Sequence, residues 1–96
     1  MRYHREPMLR TNDKCLLTEL ADGTGVVLHL DTKFYYTLNV TGVAVWKAIA
    51  AGRDTEAALA EQLVAEFDVE RATAEADLAL VLRTMLDEGL VHSSSR

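Results

Sequence analysis

The chain has 96 residues, 49% of them hydrophobic and 26% charged, with one Pro, one Cys and a formal net charge of −5. That length fits one domain, and the composition excludes a disordered tail, a collagen-like repeat and a disulfide-stapled miniprotein. No apolar run approaches the ~20 residues of a membrane helix, and the second half sets four Lys/Arg against ten Asp/Glu, a poor match for the phosphates of nucleic acid.

The first dozen residues lack periodicity, and the N-terminus carries positive charge with no apolar segment after it, so an arm over 1–14 is expected rather than a secretory signal. Cys15 through Leu20 reads as a strand, and Asp22-Gly23-Thr24-Gly25 is a hairpin signal because Gly tolerates the positive φ of tight turns. Val26 through Leu30 predicts a second strand, and Asp31-Thr32-Lys33 a second reversal. Phe34-Tyr35-Tyr36-Thr37-Leu38 predicts a third strand, rich in the aromatic and β-branched types that suit a pleated surface. The result is an antiparallel meander with the second strand central.

At Asn39 the period changes. Asn39 or Thr41 can cap a helix, and Gly42, Val45, Trp46 and Ile49 then share one helical face. Gly52 ends it, and Asp54 or Thr55 opens a second helix with Leu59, Leu63, Val64 and Phe67 as its stripe. Past Asp68 a third helix runs to about Glu88 on Leu78, Leu82, Met85 and Leu86, with Gly89 placed for a left-handed cap. Residues 93–96 read as a frayed tail. The expected fold is α+β: a three-stranded antiparallel sheet followed by three helices packed on one face. Trp46, Leu63, Phe67 and Leu82 are expected in its core.

Catalytic groups do not converge in this pattern. His4, His29 and His92 lie in arm, strand and tail, and no pair has metal-ligand spacing. Alternation sets His29 opposite Val26, Leu28 and Leu30, which predicts a solvated strand histidine. Cys15 opens a strand and reads as a small packing residue. No catalytic set, metal site or cofactor is expected, and the chain is read as a non-enzyme.

Two features exceed what a core requires. The third strand has an open edge blunted only by Lys33, and such an edge accepts another chain by backbone hydrogen bonding. The third helix carries Leu80 and Val81, flanked by Asp77 and Thr84, on a face beside its core stripe. Together they outline a groove for an extended peptide.

Val27-Leu28-His29-Leu30-Asp31, then Tyr35-Tyr36-Thr37-Leu38-Asn39-Val40-Thr41-Gly42 and Trp46, then Phe67-Asp68-Val69, Ala76-Asp77-Leu78 and Gly89-Leu90-Val91, resemble the PqqD-like family in the same order. The resemblance covers residues 15–92. It implies a winged-helix-like recognition domain of pathways that make ribosomally synthesised, post-translationally modified peptides. Such a domain binds a precursor's leader region as an added strand and presents it to a modifying enzyme: a leader protease, a cyclase or a radical SAM enzyme. The implied contacts fall on Lys33, Phe34, Tyr35, Tyr36, Thr37 and Leu38 of the third strand and on Asp77, Leu80, Val81 and Thr84 of the third helix. Members serving quinone biosynthesis carry a Trp before the Val-Leu-Leu-like strand, where this chain has Gly25-Val26-Val27-Leu28. The pattern therefore looks more like free-standing lasso-peptide members, acting in the cytoplasm.

Two other readings stand beside this one. A winged-helix DNA-binding regulator shares the architecture, but the third helix offers Arg71 and Arg83 against Glu70, Glu75, Asp77, Asp87 and Glu88. An adaptor that binds only a partner enzyme would use the same open edge. Neither nucleic acid nor membrane is an expected partner.

Overall fold

The computed structural model describes residues 8–94. Residues 1–7 of the expected arm and 95–96 of the expected tail, with His4 among them, lie outside the described residues. The elements run β1 (Met8–Thr11), β2 (Cys15–Glu19), β3 (Gly25–His29), β4 (Tyr35–Leu38), α1 (Val40–Ala50), α2 (Glu56–Phe67), α3 (Arg71–Asp87) and β5 (Val91–Ser94). The α+β class and the meander are as expected: β2, β3 and β4 form one antiparallel sheet with β3 central.

The termini differ from the sequence expectation. Residues 8–11 and 91–94 form an antiparallel ribbon, β1 with β5, instead of an arm and a frayed end. The Leu9 N–H donates to the Asp54 carbonyl (2.8 Å), and the Asn12 N–H to the Leu90 carbonyl (2.9 Å). Leu9, Leu90 and Val91 are buried in the common core. Four-residue strands carry too little periodicity to be read locally, and the pairing partner lies some eighty residues away.

The helices start where capping chemistry allows. The Asn39 side chain accepts the Gly42 N–H at 2.8 Å and Thr55 accepts the Ala58 N–H at 3.2 Å, each satisfying a donor the first turn leaves open. Gly89, at φ 75°, takes the left-handed conformation that ends α3. Gly42, Val45, Trp46 and Ile49 of α1 are buried, as are Leu59 and Leu63 of α2 and Ala74, Leu78, Leu82 and Met85 of α3. Three residues of the expected stripes differ: Val64 and Phe67 are half-buried and Leu86 is exposed.

The phase of β3 is opposite to the one expected. Gly25, Val27 and His29 face the helices, while Val26 and Leu28 stand on the outer face. His29 is therefore buried, not solvated. Its ring nitrogens lie 3.5 Å from the Asn12 side-chain nitrogen and the Thr32 backbone nitrogen, and Asn12 donates to the Gly89 carbonyl at 2.8 Å. Val26-Val27-Leu28 has no polar alternation to reveal which face is inner. Gly25 decides it, because a Cβ there would meet Leu17 Cδ1 at 2.9 Å and both the Thr18 carbonyl and Val43 Cγ2 at 3.0 Å. Only glycine allows the hairpin to approach α1. Gly25→Ala is thus expected to cost about 1–3 kcal/mol, measured by urea unfolding, because the backbone carbonyl cannot move aside.

Candidate functional site

Among the described residues the sheet has two free edges, and they are not equivalent. On β2 the outward edge ends at Glu19, whose carboxylate pairs with Lys47 of α1 at 3.0 Å. Charge at an edge discourages further pairing. The β4 edge has no such guard along Tyr35–Leu38, and a groove opens beside it. Thr37 and Leu38 of β4, Asn39 and Gly42 at the start of α1, and Leu80, Val81, Thr84 and Met85 of α3 line a cavity of about 390 Å³.

The backbone register sets which groups of β4 are available. The His29 N–H donates to the Phe34 carbonyl (2.9 Å), and the register pairs Val27 with Tyr36 and Gly25 with Leu38. In an antiparallel ladder, alternate residues bond to the neighbour while those between point away. Phe34, Tyr36 and Leu38 thus bond toward β3, and the N–H and C=O groups of Tyr35 and Thr37 face the open edge. These are what an incoming strand would use.

Side chains of the same strand divide between the two faces. Tyr36 and Leu38 are half-buried against the helices. Burial, and then the hydrogen bonding and charge of Glu88 at the end of α3, push the Tyr36 phenol above its ordinary value, with a smaller contribution from Cys15. Tyr35 and Thr37 project to the outer face, with Tyr35 70% exposed.

Of the residues singled out in the sequence, the structure brings Thr37, Leu38, Leu80, Val81 and Thr84 together in one groove. Leu80 is 68% exposed and finds no core there, which leaves a large apolar side chain on the groove wall. Lys33 and Phe34 are not on the strand. Lys33 takes a left-handed conformation (φ 68°) in the turn, which breaks the alternation before β4, and Phe34 is exposed. Asp77 borders a neighbouring cavity of about 220 Å³ with Thr41, Leu63, Phe67, Val69 and Ala74. Sequence reading missed Asn39, Gly42 and Met85 as groove residues. The first two were legible only as a cap and a helix face, and Met85 only as core.

If a bound chain extends past the α1 end of the groove, Asp77 meets it. Asp77→Asn is expected to weaken the binding of a cationic peptide by no more than ~1 kcal/mol, since the carboxylate is exposed. The loss should shrink as salt rises, and titrations at low and high salt check it. Among the described residues no group of three His, Cys, Asp or Glu gathers where a metal could sit, and no helix is long and apolar enough to cross a membrane.

Residues 24–91 match the family described as coenzyme PQQ synthesis protein D (PqqD). Two solved structures share the fold. One is TbiB1 in complex with the TbiA(beta) leader peptide, 28% identical, with a TM-score of 0.77 over 86% of this chain and 94% of that one. The other is a lasso peptide synthetase B1 complexed with the leader peptide, 25% identical, with a TM-score of 0.75 over 88% of this chain and 98% of that one. No curated protein sequence matches.

Proposed function

The chain belongs to the PqqD family, and from that premise we propose that it captures the leader region of a ribosomally made precursor peptide and holds it for a modifying enzyme. The observation that carries this reading is the unguarded β4 edge beside a preformed groove on α3. Outward N–H and C=O groups of Tyr35 and Thr37 supply sequence-tolerant hydrogen bonds, and the pocket between Leu38, Val81 and Met85 selects an apolar side chain. The likeness to two leader-peptide complexes supports the same mode.

The domain contributes binding and no bond chemistry. It acts in the cytoplasm, where ribosomes release the precursor, within a lasso-peptide type of pathway, and its enzyme partner is a leader protease or cyclase. The DNA reading is disfavoured by charge: the Arg71 guanidinium is already tied to Glu75 at 2.9 Å, on a helix with more acids than bases. Fluorescence polarisation tests the proposal with a labelled leader peptide of a candidate precursor and with duplex DNA. Saturable binding of the leader and none of DNA is expected. Binding of DNA alone would overturn the reading, and capture of the enzyme with no affinity for leader would favour the adaptor.

A further inference from the structure

Asn12, at the corner between β1 and β2, uses every hydrogen-bonding group it has. Its backbone N–H donates to the Leu90 carbonyl (2.9 Å), and its own carbonyl accepts the Cys15 N–H (2.9 Å). Its side-chain oxygen accepts the Lys14 N–H at 2.9 Å. The side-chain nitrogen donates to the Gly89 carbonyl at 2.8 Å and lies 3.5 Å from the His29 ring. These partners fix the orientation of the amide, with its oxygen against an N–H and its nitrogen against a carbonyl. One half-buried side chain thus ties the β1–β2 corner to the end of α3, on the far side of α3 from its start.

The end of α3 that Asn12 holds is continuous with the groove wall. The Gly89 N–H bonds back to the Leu86 carbonyl (3.2 Å) and the Leu90 N–H to the Met85 carbonyl (2.8 Å), the paired closure of a left-handed helix end. Met85 lines the groove, as do Thr84, Val81 and Leu80 before it. Glu88 meets the Tyr36 phenol of β4. Leu90 and Val91 are fully buried, and a close-packed interior passes a displacement on to its neighbours. Resting on the leader-capture reading, we propose that Asn12 is a positioning residue for it. Its bonds to Gly89 and Leu90 hold the last turns of α3 at the distance from β4 at which the groove accepts a chain. Asn12 does not line that groove. It acts through Gly89 and Leu90, one backbone bond from Met85. Pairing with β4 needs only the strand edge, whereas seating an apolar side chain needs the wall opposite. By linkage, a leader that requires the closed wall stabilises the Asn12 clamp by the factor with which the clamp tightens leader binding.

Asn12→Asp and Asn12→Ser test this, since each keeps an acceptor for the Lys14 N–H and loses the amide that donates to Gly89. Ala60→Gly, in α2 and away from the groove, is the stability control, because glycine weakens a helix wherever it stands. The probe is a labelled leader peptide of a candidate precursor, titrated at a temperature where circular dichroism shows each protein folded. Both Asn12 variants should lose about five-fold in leader affinity, within the range that residues outside a site exert, while Ala60→Gly melts lower yet binds within about two-fold of the parent. Leu80→Ala truncates the exposed wall residue. Combined with Asn12→Asp it should cost less than the two separate losses multiplied, because a displaced wall has already lost that contact. Hydrogen exchange on the parent needs no variant: leader should slow exchange of the Asn12 and Leu90 amides, although both bond away from the groove. Asn12 variants that melt lower but bind like the parent would overturn the proposal. So would losses that simply multiply with Leu80→Ala, or Asn12 and Leu90 amides whose exchange ignores the leader. A parent that binds no leader would instead overturn the leader-capture reading beneath it, an outcome read in the first titration before any variant is compared.

Discussion

Tyr35→Pro and Thr37→Pro are expected to leave the domain folded while weakening leader binding at least several-fold, whereas Tyr36→Pro is expected to destabilise the fold itself. The register produces the split. Tyr36 pairs with Val27 across the β3–β4 ladder, so a proline there removes a sheet hydrogen bond beneath a side chain packed against the core. Leaving a buried carbonyl without its donor costs about 1–3 kcal/mol. At Tyr35 and Thr37 the lost N–H faced outward, and an edge strand tolerates the ring. What disappears is one bond to the incoming strand, about 0.5–1.5 kcal/mol, and the ring also obstructs its approach. Calorimetry against the leader, with circular dichroism for folding, separates the outcomes. If folded Tyr35→Pro and Thr37→Pro proteins bound like the parent, strand addition at β4 would be wrong and the α3 wall would have to carry recognition.

Trp46→Ala is expected to be the most damaging single truncation. Trp46 is 5% exposed in α1, the helix that packs against α2, α3, β1 and β4. Removing a buried indole costs about 3–5 kcal/mol, a large share of the ~5–14 kcal/mol available to a domain of this length. The midpoint of thermal unfolding should fall by roughly 15–30 °C. Because α1 also sets the end wall of the groove through Asn39 and Gly42, leader binding should fail together with the fold. A variant melting like the parent would mean that Trp46 does not hold the elements together.

Helices and meander were legible locally because their signals are local. Asn39 and Thr55 supply side-chain acceptors at the right offset, Gly23 supplies the turn at φ 91°, and the stripe Gly42, Val45, Trp46, Ile49 has the period of the helix it forms. Leu80 was legible as a surplus apolar residue because its helical phase set it beside the core stripe, and the structure leaves it exposed. Asp77 shares the helix but borders a different cavity, one turn from the groove, because helical phase fixes direction around an axis and not what stands opposite.

Sequence by itself determined the α+β class, the order of sheet and helices, and the open third strand of the meander, each of which follows from composition, period or turn chemistry within a few residues. Tertiary structure alone decided the rest. The β1–β5 ribbon needs partners about eighty residues apart, and no local pattern encodes such a pairing. His29 became buried because Val26-Val27-Leu28 is apolar throughout, so only the packing of Gly25 against Val43 chose which face met the helices. That same choice turned Leu16, Leu28 and Tyr35 to the outer face. The alternation of a strand is local, but its phase relative to the core is fixed by what covers it.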